Sequence, residues 1–161
     1  MALEIERKFL VKEFPKDLEL IHEVDIWQGY ISLSPEVRIH KAYDRVNGKV
    51  NYRLTVKGDG TLSRTEIKTT IDESFFEESL NLMQGGLIYK DYRSYRYKDY
   101  VLEVCNVDPE TSHGFYYAEV EFESEEEANS FEKPGFLGKE VTDDDSYKMK
   151  NYWKQTRNTK K

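Results

Sequence analysis

The segment Leu3-Glu4-Ile5-Glu6-Arg7-Lys8-Phe9-Leu10-Val11 sets Glu4, Glu6 and Lys8 at every second position, with Leu3, Ile5 and Phe9 in the opposite phase. On a β-strand successive side chains point to opposite faces, so this segment has one charged face and one apolar face. Its two carboxylates would stand about 7 Å apart on one surface, an arrangement that suits a divalent cation with hard oxygen ligands. Taken alone, E-x-E-x-K also fits a solvated strand face.

The same pattern returns near the other end of the chain. In Ala118-Glu119-Val120-Glu121-Phe122-Glu123, Glu119, Glu121 and Glu123 share a phase opposite Ala118, Val120 and Phe122. Between the two acidic faces lie strand-like segments whose corresponding phase is mostly basic: Arg38 and His40, then Arg53 and Lys57, then Arg64 and Lys68 around Glu66.

Composition bounds the reading. The 161 residues suffice for one domain, expected over 1–156 with a frayed basic tail at 157–161. A net charge of −7 argues against nucleic acid bound through bulk electrostatics. The single Cys105 excludes an intramolecular disulfide, and no Cys/His spacing suits zinc. Cys105 has no local histidine to activate it, and on a strand it reads as a packed side chain rather than a nucleophile. With no signal-peptide pattern and no apolar run of membrane-spanning length, a reducing cytoplasmic location without a membrane partner is expected. The 12 Tyr suit strands whose outer faces are covered or half exposed.

Turn signals recur at short intervals, including Asn47-Gly48, Lys57-Gly58-Asp59-Gly60 and Lys98-Asp99. They predict strands near 3–11, 26–33, 36–45, 49–58, 62–71, 87–97, 99–107 and 115–123. Helices are predicted over 74–83, 125–132 and 144–156, capped by Asp72, Ser124 and the Asp143–Asp145 run. The fold class is mainly β (α+β), an eight-stranded antiparallel closed or nearly closed barrel. Three helices can cover its outward apolar faces, which frees the charged faces to point inward. Such an interior needs a polyanion and metals to neutralise it. The competing arrangement is an open sheet with a wet charged face.

The opening Glu4-to-Val11 segment resembles a motif of the CYTH superfamily, the triphosphate tunnel metalloenzymes. So do Leu54-Thr55-Val56-Lys57-Gly58, Arg64-Thr65-Glu66, Ala118-to-Phe122 and Gly138-Lys139-Glu140-Val141-Thr142, in the family's order. The resemblance implies a tunnel, dependence on Mg²⁺ or Mn²⁺, and action on a triphosphate, with inorganic tripolyphosphate favoured. Other chemistries of the superfamily stay open, namely class IV adenylate cyclase and thiamine or nucleoside triphosphatase, as does a non-catalytic polyphosphate-binding module. Implied metal ligands are Glu4, Glu6, Glu119 and Glu121, with Glu123 added by phase. Lys8, Arg38, Arg53, Lys57 and Arg64 are the implied phosphate contacts, His40 (by phase), Lys68, Lys90 and Arg93 are further candidates for the same role, and Lys8 and Glu103 are the catalytic candidates. The chain departs from the family pattern at His40, Lys68 and Cys105. In the sixth strand Lys90 and Arg96 share a face and Arg93 takes the other, leaving its register open. A small triphosphate is the expected partner, without nucleic acid, and a homodimer stays open.

Overall fold

A computed structural model describes residues 3–157. Its strands are β1 (Leu3–Val11), β2 (Glu19–Leu33), β3 (Glu36–Asp44), β4 (Val50–Lys57), β5 (Ser63–Ile71), β6 (Ile88–Tyr97), β7 (Tyr100–Val107), β8 (Phe115–Glu121) and β9 (Leu137–Glu140). They form one antiparallel sheet in the order β5-β4-β3-β2-β6-β7-β8-β1-β9, closed by a further pairing of β5 with β1. Eight strands therefore make a barrel, and β9 is an appendage. One edge of β1 pairs with β8, for example Lys8 with Glu119. The other edge pairs first with β5, Glu4 facing Arg64, and then with β9, Phe9 facing Glu140.

Closure turns the two phases of β1 into an inside and an outside. Outside, Ile5, Phe9, Leu102, Val104, Ala118 and Val120 are buried in one cluster with Ala128, Phe131 and Leu137. The cover comes from α2 (Glu125–Ser130) and β9. Phe9 is fully buried, so truncation to Ala would cost about 3–5 kcal/mol. The cap of α2 is the expected one, with the Ser124 hydroxyl accepting from the Glu127 N–H at 3.0 Å. Across the barrel, α1 (Glu73–Ser79) starts at Asp72, whose carboxylate accepts from the Phe75 N–H at 2.7 Å. Its buried Phe76 packs against Tyr52, with ring centroids 5.3 Å apart.

The C-terminal helix differs from expectation in place and in form. A 3₁₀ turn spans Asp145–Tyr147, the backbone is extended at Lys148, and α3 begins only at Met149 (Met149–Thr156). Instead of covering the outer wall, α3 closes one mouth of the barrel. Met149, Tyr152 and Trp153 are buried against Tyr30, Ile88, Cys105, Val107 and Tyr117. The Trp153 indole N–H donates to the Gly86 carbonyl at 2.7 Å. The tail expected to fray is tied at Arg157, whose guanidinium bonds Asp108 and the Leu87 carbonyl; residues 158–161 lie outside the described residues, as do residues 1–2. Two further differences are the longer β2, predicted from residue 26, and β9, which is too short and too mixed in composition to show a period.

Candidate active site

The hairpin between β4 and β5 helps shape the closed mouth. Gly60 has φ +142°, and a Cβ there would stand 2.1 Å from the Ser63 carbonyl oxygen, so only glycine fits. Its own carbonyl accepts from the Lys148 ammonium at 3.0 Å, tying the C-terminal segment to the barrel rim. Behind this closure lies an internal cavity of about 70 Å³. Its lining includes Glu6, Lys8, Arg38, Lys57, Arg64 and Lys90 from the barrel, with Thr142 and Tyr147 from the closing segment.

The acidic side of the lumen is built mainly by β1 and β8. Carboxylate oxygens of Glu4, Glu6 and Glu121 all lie within 4.8 Å of one another. Burial is the largest influence on Glu6 and pushes its carboxyl well above the ordinary range, with Glu119 adding to it. Burial likewise raises Glu4 to about 7, against the opposing pull of Lys57. Glu119 lies outside that 4.8 Å group but shares a hydrogen bond with Glu6. Burial works against its charge, but Lys8 and a proton shared with Glu6 hold it at about 2. Glu103, opposite Glu119 in the β7–β8 ladder, is raised to about 7 by burial and by Glu119 and Glu121, and accepts from the Tyr92 hydroxyl at 3.1 Å. Three close carboxyl groups, two of them pushed toward the protonated form by burial among like charges, make a hard oxygen donor set that a divalent cation would relieve. Glu123 does not join them. β8 has ended at Glu121, and Glu123 is exposed beyond the last paired residue.

The basic side is carried by β3, β4, β5 and β6. Lys57 is buried and lies 3.2 Å from Glu4 and 3.4 Å from Glu66. Arg64 lies 3.4 Å from Glu4 and 3.3 Å from Glu36. Glu36 is not among the residues that the motifs single out, although extending the period of β3 by one step from Arg38 reaches it. Arg53 faces His40 across the β3–β4 ladder. His40 is lowered to about 3, first by burial and then by Arg38, Lys90, Arg53 and Lys68, so the ring is neutral at physiological pH. Lys68 is half exposed and lies 3.5 Å from Glu66. The Lys8 ammonium donates to the Tyr147 carbonyl at 2.6 Å and sits 4.1 Å from the Tyr117 ring centre.

The sixth strand resolves into two faces. Lys90 points inward, buried, donating to the Tyr117 hydroxyl at 3.0 Å. Arg93 points outward and, contrary to expectation, is not placed to contact phosphate: it bonds Asp91 at 3.1 Å and lies 3.9 Å from the Phe14 ring centre. The irregularity that could have brought Arg93 inside falls on β2, between Leu20 and His22, not on β6. Arg96 is exposed beside Glu19. Cys105 is buried beside Tyr117, its thiol pushed up to about 11 by burial, as an inert packed group would be.

No family model matches the chain. It is 39% identical over 150 residues to an inorganic triphosphatase of Nitrosomonas europaea, covering 91% of this chain and 94% of that protein. The crystal structure of an inorganic triphosphatase superposes with a TM-score of 0.64 at 33% identity, covering 94% of this chain and 95% of that one. A conserved hypothetical protein of Pyrococcus furiosus shares the fold, with a TM-score of 0.53 at 23% identity over 78% of this chain and 83% of the other. No helix among the described residues is long and apolar enough to cross a membrane. With this identity along nearly the whole of both sequences, the chain belongs to the family of the Nitrosomonas europaea inorganic triphosphatase.

Proposed function

We propose that this protein hydrolyses inorganic tripolyphosphate with Mg²⁺ or Mn²⁺, as a member of the CYTH superfamily of triphosphate tunnel metalloenzymes in a reducing cytoplasmic compartment. The observation that carries the reading is the charge gathered by the inward phase of the strands: the trio Glu4, Glu6 and Glu121, with Lys57 and Arg64 within 3.4 Å of Glu4 and with Arg38 and Arg53 on the neighbouring β3 and β4. A chain of phosphates carries the negative charge that such a wall lacks, and guanidinium forks and ammonium groups grip phosphate oxygens.

Glu4, Glu6 and Glu121 would hold the cation, with Glu119 bonded to Glu6 beside them and facing Lys8 across the β1–β8 ladder. A cation held there would supply charge neutralisation and orientation of the phosphate chain. Lys8 and Lys90 add positive charge at the closed end of the lumen, where charge develops on the transferred phosphoryl group. Water attacks the terminal phosphorus, and Glu103 accepts its proton as the bond to the bridging oxygen breaks. The products are phosphate and pyrophosphate. No covalent nucleophile is needed.

The test is release of phosphate from tripolyphosphate with Mg²⁺, with Mn²⁺ and with a chelator, run beside an assay for cAMP formation from ATP. The reading expects cation-dependent phosphate release and no cAMP. Cyclase activity, or tripolyphosphate binding without turnover under any cation, contradicts it.

A further inference from the structure

Thr55 stands at the centre of the basic wall. On β4 it lies between Arg53 and Lys57 in the same phase, and its ladder partners are Arg38 on β3 and Lys68 on β5. The residue is 0% exposed, and among the described residues its hydroxyl oxygen has no hydrogen-bond partner. The Nε of Arg38, directly across the ladder, is also buried and without a partner. A buried hydroxyl without a partner lowers stability, and valine has the same branched shape without that cost. Nothing in the strand calls for the oxygen, since valine suits a strand at least as well. The cations around Thr55 offer donors, yet none bonds its oxygen. What the hydroxyl and the Arg38 Nε–H have in common is a proton to give.

We propose that the Thr55 hydroxyl and the Arg38 Nε–H donate to one and the same phosphate group of the bound polyphosphate, making Thr55 a binding residue of the tunnel. This rests on the reading of the lumen as a polyphosphate site. The β-branch restricts χ1, so the position of the Thr55 oxygen is largely set before the anion arrives and only its O–H has to turn. A guanidinium opposite a fixed neutral donor sorts an oxygen-rich tetrahedral anion from a halide or a single carboxylate, because two donors from different strands must be met at once.

The test uses Thr55→Val, Thr55→Ser, Arg38→Lys and the Thr55→Val/Arg38→Lys double variant. Tripolyphosphate affinity is measured by calorimetry in a chelator, where no turnover occurs, together with KM in Mg²⁺ and the melting temperature. Thr55→Val should weaken affinity and raise KM about tenfold or more, the effect of losing a hydrogen bond to a charged group, while melting at the parent temperature or above it. Thr55→Ser should keep most of the affinity. The double variant should lose less than the product of the two single losses, because both donors serve one group. Parent-like affinity in Thr55→Val overturns the proposal, and so does a fall in melting temperature with affinity unchanged, which would mark a structural hydroxyl. If the parent protein binds tripolyphosphate without hydrolysing it, the catalytic reading fails while the Thr55 comparison still decides this one. A parent that does not bind it overturns both.

Discussion

His40 offers a quantitative test of the charge inside the barrel. Its folded-state value is about 3 against an ordinary 6.5, lowered by burial and by Arg38, Lys90, Arg53 and Lys68. Above pH 6.5 the ring is neutral whether the chain is folded or not, so it adds no pH dependence there. Below that, the unfolded chain takes up a proton that the folded barrel refuses. Stability therefore falls as pH drops through 6.5 and goes on falling until about pH 3. Each unit is worth about 1.4 kcal/mol, so between pH 8 and 4.5 the parent should lose about 2.7 kcal/mol that a His40→Gln variant does not lose. Urea unfolding of both proteins at half-unit pH steps isolates this, since carboxylate effects common to both cancel in the difference. A polyanion in the lumen offsets the cations and should bring proton uptake at His40 back toward neutral pH, detectable as buffer-dependent binding heat near pH 5.5. A stability difference that is flat from pH 8 to 4.5 would refute the cationic environment assigned to His40.

Other consequences are open to direct measurement. Glu6→Gln should fold and melt as cooperatively as the parent yet show no cation-dependent phosphate release, because the oxygen trio loses a charged donor; parent-like turnover would remove Glu6 from the metal site. Lys57→Met should destabilise by about 3 kcal/mol in urea unfolding, since it leaves the buried Glu4 and the partly buried Glu66 without their shared cation, and should also raise KM. An unchanged unfolding midpoint would contradict the buried pairing. Arg93→Gln should leave KM for tripolyphosphate at the parent value, because Arg93 packs on Phe14 outside the barrel, and a rise of tenfold would return it to the lumen.

Much of this architecture is legible in the sequence because period 2 separates charge from apolar surface in nearly every strand. The alternation of Glu4, Glu6 and Lys8 with Ile5 and Phe9 already divides β1 into an inside and an outside, and closure through β5 puts that division to use. The choice among the late acids is not legible. Glu119, Glu121 and Glu123 share one phase, yet Glu119 sits by Lys8, Glu121 joins Glu4 and Glu6, and Glu123 falls beyond the strand end. Barrel stagger decides which partner each meets, and stagger is a property of all eight strands together. Arg93 escapes the sequence for a related reason, since its face follows from the register of β6 against β2 and β7. The closing segment is hidden differently: Gly138-to-Thr142 carries the motif, but nothing local says that Thr142, Tyr147 and α3 reach into the mouth.

The central claim is that the barrel encloses a site for a chain of phosphates, and thermal melts at matched ionic strength test it most directly. Tripolyphosphate at about a hundred times its dissociation constant should stabilise the fold by about 2.7 kcal/mol, a rise of roughly 5–10 °C for a chain of this size. Monophosphate engages only part of the basic wall and should shift the melt far less. Equal small shifts for the two anions, fading together as salt is raised, would mean a solvated charged face rather than an enclosed site, and would contradict the account.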